Sequence, residues 1–348
     1  MNILFLEFRD PLFSIIIFFA LIFIVTFLSY WWGRYRRRED YRHLNKFLKQ
    51  FRILPKQGEL KELISKDELS QKSWMLLASS YSKNGNYDKS IEIYNEILKL
   101  SDYKNQKEIM FLLGKTYFKA GFLERSKQIF LKILSKNPRT PQALEKLLLV
   151  YEYMKDYKSA LEVLEPLDEL KQDISSDSTY LKSIALLNNV DITTEEKSKQ
   201  IIEIYKTSHT QSYMVFEYLF RVNPQLAWEN FDISKSQKLV DLLWHVQNKD
   251  LNLEIISQNS YLRELYTARG DIELASKSSV FEFDTLINLK GKANATLSFE
   301  YICENCKQLY PFAFYRCSCC HSTDSIGVEF SLIRDLNIDF SEDNNSFV

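Results

Sequence analysis

Residues 74–98 read WMLLASSYSKNGNYDKSIEIYNEIL, and their pattern returns twice further along the chain. Three tyrosines set the period: Tyr81, Tyr117 and Tyr151, spaced by 36 and 34 residues. Leu77, Leu113 and Leu147 stand four residues before them, and Trp74, Met110 and Leu144 seven before. Ser90, Ser126 and Ala160 stand nine after, and Tyr94, Phe130 and Leu164 thirteen after. Trp74, Leu77 and Tyr81 are spaced i, i+3, i+7, which is one face of a helix. Asn84-Gly85 ends that helix, because glycine tolerates the left-handed backbone needed just past a helix end. Gly121 repeats that position in the second copy, and Lys155 occupies it in the third. Asn86 and Asp156 stand where N-caps of a second helix belong. Small residues at Ala78 and Ser90, and at Gly114 and Ser126, let the two helices of a copy approach closely. Pro138 closes the second copy.

The pattern resembles the tetratricopeptide repeat, most clearly over residues 71–172. SKQIIEIYK from Ser198 is similar to SKQIFLKIL from Ser126 and reads as a degenerate fourth copy. YTARGDIELA, Tyr266 to Ala275, keeps the tyrosine, glycine, cap and small residue of a late repeat. Between them, FEYLFRVNPQLAWENF and SQKLVDLLWHVQNK read as amphipathic helices. With only 8 glycines and 7 prolines in 348 residues, long helices and short connections are expected rather than a turn-rich β fold. The recurring aromatic positions read as core. They specify the stacking of helices, not a ligand.

The N-terminal segment is of another kind. From Pro11 to Gly33 there is no charged side chain. A hydrocarbon layer needs about 20 apolar residues in a helix, and this run supplies them. Tyr30, Trp31 and Trp32 follow at the position of an interfacial aromatic belt. Arg34, Arg36, Arg37 and Arg38 come next, against Arg9, Glu7 and Asp10 on the other side. The positive flank therefore predicts that the bulk of the chain faces the cytoplasm. A cleaved signal peptide would carry its basic residues before the apolar run and small residues after it. Here the basic residues follow the run, and the run ends in Tyr30-Trp31-Trp32. Arg42, Lys46, Lys49, Arg52 and Lys56 continue the basic stretch that would lie near anionic lipid.

All five cysteines fall within residues 303–320, CENCKQLYPFAFYRCSCC. Cys303, Cys306, Cys317 and Cys320 form two C-x-x-C pairs separated by ten residues. Four thiolates are the set a tetrahedral metal site needs. One C-x-x-C alone could be a redox pair; two at this separation, in a reducing compartment, point to one metal ion, zinc or iron. Four sulfur ligands leave no open coordination position, so the site reads as structural. Cys319 fits no pair, and ligand sets using Cys319 or His321 remain open alternatives.

Other chemistries find little support in the sequence. His43, His209, His245 and His321 are scattered through unrelated segments, with no Gly-rich phosphate loop and no nucleophile motif. The chain is expected not to be an enzyme. Between the first and last cysteine only Lys307 and Arg316 are basic, and Asp335, Asp339, Glu342 and Asp343 follow. Nucleic-acid binding needs clustered positive charge, so no nucleic-acid partner is expected.

An anchor with a basic flank, a tetratricopeptide array and a four-cysteine tail, in this order, resemble the lipopolysaccharide assembly protein B family of Gram-negative bacteria. YICENCKQLYPFAFYRCSCC is the most specific part, with Tyr315 two residues before Cys317. Lys307 stands where the family usually has glycine, and Ser318 where proline often follows the third cysteine. The resemblance implies an all-α chain ending in a small rubredoxin-like metal knuckle. Its parts are a short N-terminal segment and transmembrane helix at 1–33, a basic juxtamembrane helix at 34–56, a tetratricopeptide-like α-solenoid at 57–290, a rubredoxin-like domain at 298–330 and an acidic tail at 331–348. It further implies a single-pass inner-membrane adaptor, anchored by residues 11–33. Such an adaptor helps a membrane ATP-dependent protease degrade the deacetylase of lipid A synthesis, and it associates with other envelope proteins. A general membrane-tethered scaffold for another envelope complex is the alternative. The orientation has a direct check: a reporter fused after residue 60 is expected to be active only as a cytoplasmic fusion, and periplasmic activity there would reverse the assignment.

Overall fold

In the computed structural model the described residues are 21–28, 64, 70–101, 103–170, 172–289 and 294–334. Most of the expected span at 11–33, the basic segment at 34–56 and the tail beyond residue 334 lie outside them. Residues 21–28 are helical with most of their apolar side chains exposed. Among the described residues no helix is long and apolar enough to cross a membrane. The chain divides into two units, residues 1–150 and 151–348.

In the first unit, α1 (Gln71–Lys83), α2 (Tyr87–Leu100), α3 (Tyr103–Lys119) and α4 (Leu123–Lys136) pack in succession. Gly85 and Gly121 take φ +78° and +80° just past α1 and α3. The periodic positions are the interior: Trp74, Leu77, Tyr94, Met110, Leu113 and Phe130 are all buried. Ser90 and Ser126 are fully buried where the paired helices touch. Ser126 Oγ donates to the carbonyl oxygen of Gly114 at 2.9 Å. A Cβ on Gly114 would lie 2.9 Å from Phe130 Cζ and 3.2 Å from Ile129 Cγ2, so glycine is what lets α3 and α4 close. The chain then turns at Asn137 and Pro138 and enters α5 (Pro141–Tyr153), within which the division between units falls.

The second unit continues the helix pairs with α6 (Tyr157–Glu169), α7 (Ser175–Asn188), α8 (Thr194–Ser208) and α9 (Ser212–Val222). Lys155 takes φ +59° before α6, so an L-residue adopts the glycine conformation of the earlier copies. Asp156 caps α6 by accepting the Ser159 N–H at 3.2 Å, whereas Asn86 holds the cap position of α2 without a side-chain bond. In α8, Ser198, Ile202 and Tyr205 are buried where Ser126, Phe130 and Ile133 are buried in α4. The degenerate copy is thus a structural equivalent.

Two stretches differ from the reading of the sequence. Residues 224–258 form only short pieces: α10 (Pro224–Glu229), α11 (Val240–His245) and α12 (Leu253–Gln258), with 3-10 turns at Ile233–Lys235 and Asn248–Asp250. Large side chains such as Trp228, Phe231 and Leu243 fill the interior there instead of a helix stripe. After α13 (Ser260–Arg269), Gly270 takes φ +94°, yet residues 271–280 are not helical. Asp271 pairs with Arg269, whose guanidinium also binds the carbonyl oxygens of Trp244 and Val246. That arrangement removes the expected helix cap. The chain resumes with α14 (Phe281–Leu289).

The all-α expectation is corrected at the C-terminal end. Strands β1 (Ala295–Cys303), β2 (Leu309–Tyr310) and β3 (Ile326–Arg334) form an antiparallel sheet of order β2-β1-β3. Cys303 pairs with Ile326 and Tyr301 with Tyr310. Both strands alternate apolar residues with period two, Leu297, Phe299 and Tyr301 in β1 and Ile326, Val328, Phe330 and Leu332 in β3, a strand pattern that the all-α expectation does not take up. Leu297 and Ile326 join the core of the second unit, and Phe330 stacks on Phe283 of α14 at 5.4 Å.

Gly114→Ala is expected to cost about 1–3 kcal/mol by overpacking the contact with Phe130. Denaturant unfolding measures it, and an unchanged midpoint would show that α3 and α4 part freely.

Candidate metal centre

The same turn is built twice around the cysteines. In the first, Cys303 N–H donates to the Gln308 carbonyl at 2.9 Å and Lys307 N–H to the Cys303 carbonyl at 2.8 Å. In the second, Cys317 N–H donates to the Ser322 carbonyl and His321 N–H to the Cys317 carbonyl, both at 2.9 Å. The residue after each second cysteine is left-handed: Lys307 at φ +60° and His321 at φ +62°. This is the backbone that glycine adopts at no cost, and an L-residue holds it at roughly 1–2 kcal/mol. Lys307 therefore preserves the turn that its side chain disfavours.

The two turns bring Cys303, Cys306, Cys317 and Cys320 together. Their sulfurs all lie within 4.8 Å of one another. Cys303 Sγ is 3.7 Å from Cys320 Sγ, and Cys306 Sγ is 3.6 Å from Cys317 Sγ. A tetrahedral site with metal–sulfur bonds of about 2.3 Å needs sulfurs about 3.8 Å apart, so the set fits a single metal ion. All five cysteines are free thiols, and Cys319 is exposed and outside the cluster. His321 lies outside it as well.

Several groups that sequence reasoning did not single out surround the sulfurs. Tyr310 Oη lies 3.1 Å from Cys317 Sγ, Ser325 Oγ 3.4 Å from Cys303 Sγ and Ser322 Oγ 3.0 Å from Cys320 Sγ. Hydroxyls aimed at sulfur stabilise thiolate charge and orient it. Burial works against ionisation of Cys303, but the backbone N–H of Cys306 and the Ser325 and Ser322 hydroxyls outweigh it, placing this thiol at about 5. At Cys306 the Gln308 N–H pulls downward, while burial and the neighbouring sulfurs push the thiol up to about 12. Burial works against Cys320 as well, but the Ser322 hydroxyl and N–H draw it down, so the protein alone favours thiolates at Cys303 and Cys320 and opposes one at Cys306. A bound cation is what would let all four ionise together.

The segment between the pairs is fastened to the helices of its own unit. Arg316, 7% exposed, places its guanidinium nitrogens 2.7 Å from Glu152 Oε2 and 2.7 Å from Asp177 Oδ1. It lies over the Tyr180 ring at 4.7 Å and donates to the His321 carbonyl at 2.8 Å. Tyr315 donates to Glu217 of α9 at 2.6 Å. Lys238 pairs with Glu304 at 2.8 Å, and Ser176 and Thr323 share a 2.6 Å hydrogen bond. No local pattern announced these bonds, because every helix partner lies far upstream.

Comparison with known proteins places these parts in context. Residues 71–103 match the tetratricopeptide repeat family. Lipopolysaccharide assembly protein B of Escherichia coli (strain K12) is 21% identical over 114 residues, which is 32% of this chain and 29% of that relative. The match therefore spans less than a third of either chain. Among solved structures, a tetratricopeptide repeat protein from Parabacteroides merdae ATCC 43184 is similar at TM-score 0.39 and 14% identity, covering 72% of this chain and 97% of the other. MamA residues 41 to the end, from Desulfovibrio magneticus RS-1, gives TM-score 0.37 at 20% identity over 49% of this chain and 95% of the other. The chain is mostly helical, matches the tetratricopeptide repeat over residues 71–103 and ends in a small cysteine-bearing sheet. Repeats of this kind generally mediate contacts between proteins.

Cys320→Ser is expected to lose bound metal and Cys319→Ser to retain it, read as metal per chain by elemental analysis. The reverse outcome would replace the ligand set.

Proposed function

We propose that this protein is a membrane-anchored cytoplasmic adaptor that regulates lipopolysaccharide synthesis. It presents the lipid A deacetylase to a membrane ATP-dependent protease, and it performs no catalysis of its own. The observation that carries this reading is a four-thiol cluster fastened to repeat-type helices, in a chain similar to lipopolysaccharide assembly protein B over 114 residues. The apolar run at 11–33 supports the anchoring, and its basic flank the cytoplasmic orientation. Anchoring confines the helix pairs to the membrane surface and raises their effective concentration near membrane proteases. One zinc or iron ion held by Cys303, Cys306, Cys317 and Cys320 closes the two turns and keeps Tyr315 and Arg316 aimed at the helices.

The short match to the relative also supports a broader reading, a membrane-tethered scaffold for another envelope complex. Depletion in cells separates the two. The adaptor reading expects the deacetylase half-life to lengthen several-fold and its level to rise. Unchanged turnover, with unrelated envelope proteins captured by crosslinking in detergent, would favour the scaffold.

A further inference from the structure

Strand β3 is the outer strand of the sheet, and no strand lies beyond it among the described residues. The Glu304 N–H donates to the Ser325 carbonyl at 2.7 Å, in line with the register of β1 and β3. In an antiparallel ladder such bonded pairs recur at every second residue. Gly327, Glu329, Ser331 and Ile333 therefore turn their backbone groups toward β1. Val328, Phe330 and Leu332 turn theirs outward, where no other described residue bonds to them. The edge runs without proline or bulge from Ile326 to Arg334. An unpaired row of this kind is a template for another strand.

The two faces of the sheet differ in charge. Leu297 and Ile326 are buried and Phe330 stacks on Phe283 of α14, so side chains of that parity face the helices. Glu300 and Glu329 project from the opposite face, both exposed, and stand directly across the ladder from one another. Like charges in that position repel. Among the described residues no basic side chain pairs with either. A strand added outside β3 places one residue beside Glu329 on that face. Charge decides which strand fits. Residues 335–348 of this chain carry Asp335, Asp339, Glu342 and Asp343 and no basic residue. A second copy, paired antiparallel through the same edge, brings its own Glu300 and Glu329 to that face. Its Arg334 has the parity of Phe330 and belongs to the other one.

We propose that the free edge of β3 captures an extended segment of a partner protein as a fourth, antiparallel strand, with a lysine or arginine of that segment beside Glu329. Val328, Phe330 and Leu332 offer their outward N–H and C=O groups, which hold the segment by its backbone. Glu300 and Glu329 select a basic residue at one position, because an opposite-charge neighbour relieves their repulsion. The residues on either side of that cation extend the apolar face beside Val328 and Phe330. This goes beyond the adaptor reading and holds equally for a scaffold, because the bound segment is defined by its chemistry and not by its owner.

Fluorescence anisotropy on the full chain in detergent tests it with three labelled peptides. They are Val-Thr-Val-Lys-Val-Thr-Val-amide, its counterpart with glutamate for lysine, and the lysine peptide N-methylated at the two valines that flank the lysine. With the lysine beside Glu329, those valines donate their N–H groups to the Val328 and Phe330 carbonyls. The lysine peptide is expected to bind, the glutamate peptide to bind about fivefold more weakly, the scale of an opposite-charge cross-strand pair, and the N-methylated peptide not to bind. Glu329→Lys is expected to invert the preference between lysine and glutamate. Val328→Pro removes an outward N–H and none of the bonds to β1, as proline does on an edge strand. It is expected to abolish binding while helicity and metal content stay unchanged. If Val328→Pro does not fold, the N-methylated peptide alone decides, because it leaves the protein unaltered. A lysine peptide that does not bind, or an N-methylated peptide that binds as its parent does, overturns the proposal. So does unchanged binding to a folded Val328→Pro chain. Equal binding of the lysine and glutamate peptides overturns the assignment to a basic segment. Self-association of the parent chain that Val328→Pro abolishes, read by sedimentation, gives the edge to a second copy instead. None of these failures touches the adaptor reading, which deacetylase turnover measures separately.

Discussion

A buried guanidinium joins the cysteine-bearing sheet to the helices of the second unit. Arg316 brings one positive charge to Glu152 and Asp177, with Glu152 9% exposed in its side chain and Asp177 more open to solvent at 36%. Tyr180 completes the group by donating to the other Glu152 oxygen at 2.8 Å. Such a cluster adds little stability relative to an apolar core, because Arg316 and Glu152 have both left water. Removing one member leaves another charge buried and costs about 3–5 kcal/mol. Burial pushes the Glu152 carboxyl up, and Arg316 and the Tyr180 hydroxyl pull against it. The sheet is therefore held in one position by the penalty for leaving it.

That position serves the thiols. Arg316 immediately precedes Cys317, and its Nη1 bond to the His321 carbonyl spans the second cysteine turn. Tyr310, which pairs with Tyr301 in the sheet, reaches Cys317 Sγ from the other side. Two turns with the same hydrogen bonds, one at the end of β1 and one following Arg316, make the four-sulfur set. Lys307 and His321 keep those turns left-handed although neither is glycine. The hydrogen bonds and the packing of each turn outweigh the local strain, which is why the substitution at Lys307 leaves the geometry intact.

What could be read in the sequence follows the range of each interaction. The repeat positions around Tyr81, Tyr117 and Tyr151 were legible because a helix pair is a local object with a fixed period. Leu77, Leu113 and Leu147 are buried, as are Ser90, Ser126 and Ala160. The cysteine cluster was legible because metal-ligand spacing is also local. The sheet was legible only in part: β1 and β3 each alternate apolar residues with period two, but their pairing across the cysteine segment is a long-range contact that the sequence pattern does not give. The irregular run at 271–280 was hidden by the bond from Asp271 to Arg269, which competes with the cap the sequence pattern promises. The hydrogen bonds of Tyr213 and Tyr301 to the Asp241 carboxylate could not be read from the sequence at all, because these residues come from two helices and a strand that meet only in the folded chain.

The ion cluster at Arg316 has a bearing on how the chain comes off the ribosome. Glu152 and Asp177 emerge long before Arg316, and until it arrives their place in the interior would hold uncompensated negative charge. The first unit owes its closure to neighbours in sequence and can fold as it emerges, domain-wise, during synthesis. The second unit cannot complete itself in that order. Its packing is complete only once Arg316 and the strands that flank it have joined helices made earlier.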